Sequence, residues 1–237
     1  MTDDVIAAAR ADGRHTLTEA EGKRLLSDAG LDTPPFAVCG TAEEAVEAGA
    51  DIGYPVVVKV SSPSVTHKSE WADGAGVAVG MESSEEVRAA AERIFDAAAE
   101  RDIDAEVLVE AALDVDAGTE ILVGGLRDPS FGPVVVTGLG GVFSEVFADT
   151  SHRIAPVTHA EARAAIEELQ VADLLKGYRG SDAADLDALA DVVVTVGDLV
   201  ADRPIAELDL NPILASADGA VALDALVVLE AETEAGR

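Results

Sequence analysis

The sequence is poor in basic residues, cysteine and aromatic residues. Its 237 residues include 46 acidic side chains against 16 lysines and arginines, which gives a formal net charge of -30. A surface this anionic repels the phosphates of nucleic acids and of anionic lipids, so neither is an expected partner. Cys39 is the only cysteine, which excludes an internal disulfide and a CxxC metal site.

Long apolar runs are also missing. No stretch approaches the roughly 20 apolar residues of a membrane helix, and the start MTDDVIAAAR lacks the basic beginning and apolar centre of a signal peptide. These features predict a soluble, cytoplasmic protein without membrane contact. The scarcity of lysine beside so many acids predicts a surface adapted to molar salt, and an ordinary acidic cytosolic protein is the alternative.

The remaining residues are sufficient for a large core, since 49% of the chain is hydrophobic. Four capping boxes, each a Ser or Thr followed three residues later by Glu, predict helix starts at Thr18, Thr41, Ser83 and Thr158. A fifth helix is predicted to begin near Asp182, where apolar residues recur at helical spacing.

Strands are predicted between these helices, at 36–39, 56–60, 76–80, 106–110, 119–125, 133–137, 142–147, 205–210 and 220–228. Helices and strands alternate up to about residue 110, and strands then follow one another. This order predicts a mixed α/β (α+β) protein with two lobes in one unit, residues 1–237. The smaller lobe is expected at 18–102 and the larger, strand-rich lobe at 103–237, with a cleft between them.

One short stretch, YPVVVKVSSPSVTHKSE, holds two of the four lysines in the chain. Lys59 ends an apolar strand, where its ammonium group needs a polar partner or a bound anion, unless the side chain extends to solvent. The loop that follows contains Ser, Thr, His67 and Lys68, and returns to a strand through DGAG. Backbone N–H groups, hydroxyls and a cation are the components of a phosphate site, although no Walker A or GxGxxG motif is present.

The C-terminal quarter supplies oxygen ligands. Glu207, Asp209 and Asn211 alternate with apolar residues in IAELDLNPI, so they share one face of a strand. Asp224 stands alone in the apolar run AVALDALVV, which is expected to lie beside that strand. This set suits Mg2+, which takes one or two carboxylates and completes its shell with waters and phosphates. A solvated acidic sheet face is the alternative.

The central region adds weaker signals. Glu110 and Glu120 lie near strand ends, and Arg127, among apolar strands, is a candidate ligand for phosphate or carboxylate. The GLGG stretch at 138–141 is either a tight turn or a second anion-binding loop.

Several of these segments, in this order, resemble one family. GYPVVVKVSSPSVTHKSE, EILVGGLRDPSFGPVVVTGLGG, DTSHRIAPV and ELDLNPI with ALDA are similar to the β subunit of ADP-forming acetyl-CoA synthetases, over about residues 16–229. The resemblance implies an ATP-grasp fold, in which two lobes enclose a nucleotide cleft. Together with the composition, it points to a halophilic archaeon as the source.

The resemblance also implies roles for particular residues. Mg2+ would be held by Asn211, Asp224 and Asp209. His67 would accept a phosphoryl group, and Lys68 and Arg127 would assist. From the residues alone, the favoured interpretation is that His67 only binds phosphate or caps the loop. Nucleotide contacts would come from Lys59, Ser61, Gly74, Gly76, Glu110, Ala111, Ala112 and Glu120.

The implied reaction interconverts acyl-CoA, ADP and phosphate with free acid, ATP and CoA, by way of a phosphohistidine. CoA binding and acyl chemistry would belong to a separate α subunit, in an α2β2 assembly, because nothing in the chain resembles a CoA-binding unit. The alternatives are a succinate-type CoA ligase β subunit and a non-catalytic, nucleotide-binding regulatory subunit.

Overall fold

The computed structural model describes residues 2–65, 68–141, 149–177 and 182–231. Its helices are α1 (Thr2–Ala11), α2 (Glu19–Asp28), α3 (Ala42–Ile52), α4 (Ser84–Glu100), α5 (His159–Glu167), α6 (Ala172–Leu175) and α7 (Leu186–Asp202). Its strands are β1 (Phe36–Cys39), β2 (Val56–Ser61), β3 (Val77–Met81), β4 (Glu106–Ala111), β5 (Thr119–Asp128), β6 (Gly132–Leu139), β7 (Thr150–Ile154), β8 (Ile205–Ser216), β9 (Gly219–Ala222) and β10 (Leu226–Leu229).

The chain forms two compact units, whose boundaries differ from the expected 18–102 and 103–237. The smaller unit is Pro34–Leu113, and the larger combines Met1–Thr33 with Asp114–Arg237. Helix α2 belongs to the larger unit because Gly22 packs so closely on Ala225 that an added Cβ would lie 3.3 Å from the Ala225 Cβ. Strand β4 belongs to the smaller unit because it pairs with both β1 and β2.

The smaller unit is a four-stranded antiparallel sheet in the order β1-β4-β2-β3, with α3 and α4 packed on one face. Alternate residues of β2 and β4 point into that helix-covered core, among them Val58 and Val109. The intervening residues of β2, including Lys59 and Ser61, therefore lie on the face turned away from the helices.

The larger unit contains a six-stranded antiparallel sheet in the order β10-β8-β5-β6-β7, with β9 added to β8. Helix α7 packs against this sheet, and Val123 and Leu208 belong to the core on that side. Gly125 permits the close approach, since an added Cβ would lie 2.5 Å from Val200 Cγ2. The other face of the sheet carries the polar residues of β8.

The four predicted helix starts are confirmed, each with the expected capping Ser or Thr. In α2 and α5 the Glu returns the hydrogen bond to the cap residue itself. In the other two helices Glu44 and Glu86 instead accept from the backbone of Gly40 and Glu82, one residue earlier. The fifth helix begins at Leu186, later than expected, because Asp185 supplies the cap.

Most predicted strands are present, one predicted strand is divided, and one observed strand was not predicted. The run 220–228 divides into β9 and β10, with Asp224 in the connection between them, while β7 was not foreseen. The predicted strand 142–147 lies outside the described residues. Within the described ranges, no helix has the length and apolar character needed to cross a bilayer.

Candidate functional site

A buried ion pair lies on the open face of the smaller unit's sheet. Lys59 Nζ is 2.8 Å from Glu110 Oε1, and the two side chains are only 10% and 4% exposed. Strand register explains the contact: Glu110 is opposite Val57 and Lys59 is opposite Leu108, so the charged residues are diagonal neighbours on one face. The polar partner that the sequence required for Lys59 is therefore a carboxylate.

Ser61 follows on the same face, two residues beyond Lys59. It is 3% exposed, and within the described part of the chain its Oγ has no hydrogen-bond partner. Buried hydroxyl groups without a partner are rare because burial without hydrogen bonding costs free energy. A phosphate oxygen beside Lys59 would satisfy this hydroxyl.

The segment Lys68–Gly76 leads back to β3 through an unusual backbone. Ala72 and Asp73 have positive φ values of 50° and 57°, and Gly74 has 89°. Gly76 passes so close to the backbone carbonyl of Lys68 that an added Cβ would collide with it. These two glycines are thus required by the path of the chain itself, whatever they contact in a complex.

His67, the expected phosphoryl acceptor, lies outside the described residues. The backbone after Glu110 is described, and its donors are already used. Ala111 N–H donates to Pro35 O and Ala112 N–H to Pro55 O, both at 3.0 Å. In this arrangement neither N–H group is available to adenine or ribose.

The larger unit carries its polar cluster on β8. Glu207, Asp209 and Asn211 lie on the face turned away from α7, and the intervening Leu208 and Leu210 are fully buried. The alternation predicted from the sequence is therefore confirmed. It aligns three oxygen-bearing side chains along one strand.

Asp224 lies beside the β8 residues Asp209 and Asn211, although it is in the connection between β9 and β10 and not in a strand. On β8, pairing with β9 reaches Ile213 and pairing with β10 begins at Asp209. The connection that contains Asp224 spans the interval between them, opposite Asn211. The expected juxtaposition of Asn211 and Asp224 thus agrees with the register.

One carboxyl group of this cluster, that of Asp209, has a perturbed pKa. Burial, as the largest cause, together with the negative charges of Glu207 and Asp224, raises the pKa of Asp209 to about 6. Such a shift indicates that ionisation of Asp209 is unfavourable at this position. A bound cation would make this ionisation more favourable.

The GLGG stretch holds Asn211 in place. The Gly141 N–H donates to Asn211 Oδ1 at 3.0 Å, and the Gly140 N–H donates to Glu120 O at 2.9 Å. An added Cβ at Gly140 would lie 2.6 Å from the backbone of Ile121, and one at Gly141 would collide with the Glu120 carboxylate. Gly138 and Leu139 are the last residues of β6, so the stretch is neither of the two predicted structures as a whole, and Gly141 orients a candidate metal ligand.

Arg127 does not join the cluster. Its Nη2 donates to Ala201 O and Arg203 O at 3.0 Å each, and its Nε lies 2.8 Å from Glu230 Oε1. Its side chain also leaves β5 on the face opposite to that of Glu207. The expectation that Arg127 lines the site is replaced by a structural role, in which it ties the end of α7 to the chain after β10.

Comparison with known proteins identifies the family. The ATP-grasp domain model matches residues 8–229. The β subunit of ADP-forming acetate–CoA ligase I from Pyrococcus furiosus is 41% identical over 228 residues, covering 95% of this chain and 97% of that one. This chain belongs to the β subunits of the ADP-forming acetate–CoA ligases.

A solved structure of this ligase family has the same fold. Acetyl-coenzyme A synthetase 1 of Ca. Korarchaeum cryptofilum matches with a TM-score of 0.84 and 37% identity, covering 97% of this chain and 100% of that one. That complex contains coenzyme A and Mg-AMPPCP, and its phosphohistidine segment points towards the nucleotide binding site. The predicted ATP-grasp fold and ligase family are confirmed.

The succinate-type alternative is less favoured. The β subunit of the Haloarcula marismortui succinate–CoA ligase is 31% identical over 217 residues, and the match covers 55% of that protein. The acetate-type relative is more similar and matches nearly end to end.

For a member of this ligase family, a magnesium site with few protein ligands is chemically reasonable. Within the described ranges, no three acidic, histidine or cysteine side chains are grouped closely enough to hold a metal alone. Mg2+ binds through one or two carboxylates together with substrate phosphates, so a small set of oxygens is sufficient. Asn211 and Asp224, with Asp209 beside them, form such a set.

Two contacts of the site were not foreseen from the sequence. The Lys59–Glu110 pair depends on which strands are neighbours, and the bond from Gly141 to Asn211 joins positions 70 residues apart. The only sequence signal for the second contact was the density of glycine in GLGG.

Proposed function

We propose that this chain is the nucleotide-binding half of an ADP-forming acyl-CoA synthetase. The complete enzyme interconverts acyl-CoA, ADP and phosphate with free acid, ATP and CoA. Acetyl-CoA is the proposed acyl substrate because the Pyrococcus furiosus relative is named for acetate. The observation that carries the proposal is the buried Lys59 beside the unpartnered hydroxyl of Ser61, in a chain of this family.

Nucleotide phosphates bind on the open face of the smaller unit's sheet. Lys59 supplies a positive charge, and Ser61 supplies a hydroxyl donor that lacks a partner in the described protein. The segment after β2, with Lys68, Gly74 and Gly76, covers the phosphates. Backbone N–H groups and a cation are suited to this task.

Mg2+ binds at Asn211 and Asp224, with Asp209 adjacent. The residues fit the ion for two reasons. Asn211 Oδ1 is held by the Gly141 N–H but retains a second lone pair. A cation would also favour the ionised form of Asp209, whose pKa is raised by burial and by the negative charges beside it. Bound Mg2+ would supply charge neutralisation to the nucleotide phosphates.

His67 carries the phosphoryl group between the acyl chemistry and ADP. Phosphate displaces CoA from acyl-CoA to give an acyl phosphate. The imidazole attacks its phosphorus, so a nitrogen–phosphorus bond forms while the phosphorus–oxygen bond to the acyl group breaks and releases the free acid. The nitrogen–phosphorus bond then breaks when a terminal phosphate oxygen of ADP attacks phosphorus, which gives ATP and free His67. Lys68 stabilises the added negative charge. A carrier of this kind is useful because the acyl group and ADP need not occupy one site.

CoA binding and acyl transfer belong to a separate α subunit, in a cytoplasmic α2β2 assembly. The test is to isolate the chain with the α subunit that co-purifies from the source cells and to assay ATP formation. We expect ATP only when acetyl-CoA, ADP and phosphate are all present, and we expect Lys59→Met to abolish it. ATP formation by the α subunit alone would contradict the proposal.

A further inference from the structure

We propose that Glu110 is the counter-ion that positions Lys59 for the nucleotide phosphates, and is not itself a ligand of adenine or ribose. This inference rests on the proposed nucleotide site. It assigns Glu110 a positioning role in place of the nucleoside contact expected from the sequence.

The geometry of the pair supports this assignment. Glu110 Oε1 is 2.8 Å from Lys59 Nζ, which is the length of a charge-assisted hydrogen bond. The Glu110 side chain is 4% exposed, so the carboxylate faces the ammonium group within the protein. Ribose hydroxyls bind best to a carboxylate that is open to the ligand.

Lys59 is a charge partner of Glu110, and the strand residues beside Glu110 carry no charge. The residues directly opposite Glu110 are Phe36 on β1 and Val57 on β2, and both are apolar. A buried carboxylate between apolar side chains is strongly unfavourable unless it is paired with a cation. The sheet therefore brings Glu110 to Lys59 and holds the long lysine side chain in one orientation.

This arrangement has a specific electrostatic consequence. With Lys59 in place, the negative charge of Glu110 is compensated, and a phosphate encounters the ammonium group. When Lys59 is removed, the Glu110 carboxylate remains and repels phosphate at short range. The loss of Lys59 should thus weaken phosphate binding for two reasons: the ammonium group is gone, and the remaining Glu110 carboxylate repels phosphate. Removing the charge of Glu110 as well should restore part of the affinity for phosphate.

The test compares four forms of the full chain: wild type, Lys59→Met, Glu110→Gln and the double variant. Binding of ADP without added metal and of adenosine is measured for each by calorimetry. We expect the affinity of the double variant for ADP to be at least about tenfold higher than that of Lys59→Met. Adenosine affinity should stay unchanged in all four proteins, because the pair acts on phosphate only.

A matched control comes from a second buried pair. Lys23 Nζ lies 2.9 Å from Glu19 Oε1 in α2, with side chains 0% and 1% exposed. Glu19→Gln should lower the melting temperature as Glu110→Gln does, but it should not change the ratio of ADP to adenosine affinity. Thermal melts of all five proteins separate loss of folding from loss of binding.

The outcomes distinguish this inference from the proposed function. If wild type binds adenosine and ADP but Glu110→Gln weakens both equally, Glu110 is a nucleoside ligand and the inference is overturned. A double variant that binds ADP more weakly than Lys59→Met would overturn it too. If wild type binds neither compound, the proposed function itself fails. If Lys59→Met does not fold, Lys59→Arg is compared with the double variant Lys59→Arg, Glu110→Gln. The double variant is then expected to bind ADP more weakly than Lys59→Arg does.

Discussion

Replacing Asp209 with asparagine should stabilise the protein at neutral pH when nucleotide and metal are absent. Burial, with the nearby charges of Glu207 and Asp224, raises the pKa of Asp209 from 3.8 to about 6. An acid with a raised folded-state pKa stabilises the fold below pH 3.8, and that contribution is lost as the pH rises through about 6. Asparagine has no proton to lose and avoids this cost.

The magnitude follows from the size of the pKa change. One pKa unit corresponds to about 1.4 kcal/mol, so a rise from 3.8 to about 6 amounts to about 3 kcal/mol. Asp209 lies on a partly exposed face where water and salt weaken electrostatic costs, and we expect about 1 to 2 kcal/mol at pH 7.5. At pH 5 about half of that should remain, because the folded carboxyl still holds its proton there.

The assay is urea denaturation with a metal chelator, at pH 5 and pH 7.5, for wild type, Asp209→Asn and Asp218→Asn. Asp218 is the matched control, since it lies exposed in the turn between β8 and β9. Asp209→Asn should gain free energy of unfolding over wild type, and more so at pH 7.5, while Asp218→Asn should change little at either pH. A gain of equal size at both pH values, or a loss at pH 7.5, would show that ionisation of Asp209 does not destabilise the fold. With Mg2+ and ADP added, the advantage of Asp209→Asn should disappear.

Three further predictions follow from the same structure. Asp224→Asn should weaken Mg-ADP binding about tenfold or more and leave metal-free ADP binding nearly unchanged by calorimetry, whereas equal weakening of both would indicate a structural role. The melting temperature should rise between about 0.1 M and about 3 M KCl because salt screens the repulsion among the acidic residues, and a constant value would contradict salt adaptation. Arg127→Met should lower the free energy of unfolding by about 1 to 3 kcal/mol, because it removes the hydrogen bonds to Ala201 and Arg203 and the ion pair with Glu230. ADP affinity should stay unchanged, and a reduced ADP affinity in the folded variant would indicate that Arg127 contributes to the nucleotide site.

The features that were predictable from sequence depend on local chemistry. Capping at Thr18 and Thr158 requires only four consecutive residues, so those helix starts could be read directly. The alternation that places Glu207 and Asp209 on one face follows from strand geometry alone. The membership of α2 in the larger unit could not be read, because it depends on packing against β10, which comes some 200 residues later.

In the candidate site as well, individual residues were predictable from the sequence but the contacts between them were not. Lys59 and Asp224 were singled out because a charged residue is unusual in an apolar segment, and Asn211 because it alternates with apolar residues. Ser61 was implied only by the family resemblance. The partners of these residues were not found, because the contact of Lys59 with Glu110 requires the register of β2 on β4. Arg127 was misassigned for a related reason: the face on which it emerges depends on the pairing of β5 with β8.

The central claim is that this chain binds nucleotide and carries phosphate on His67. The most direct measurement is incubation of the chain, in complex with its α partner, with Mg2+ and ATP radiolabelled in the γ-phosphate, followed by separation of the subunits. We expect acid-labile label on this chain that is returned to ATP when ADP is added, and no label on this chain in His67→Ala or His67→Asn. A wild-type chain that stays unlabelled, or variants that remain labelled, would contradict it.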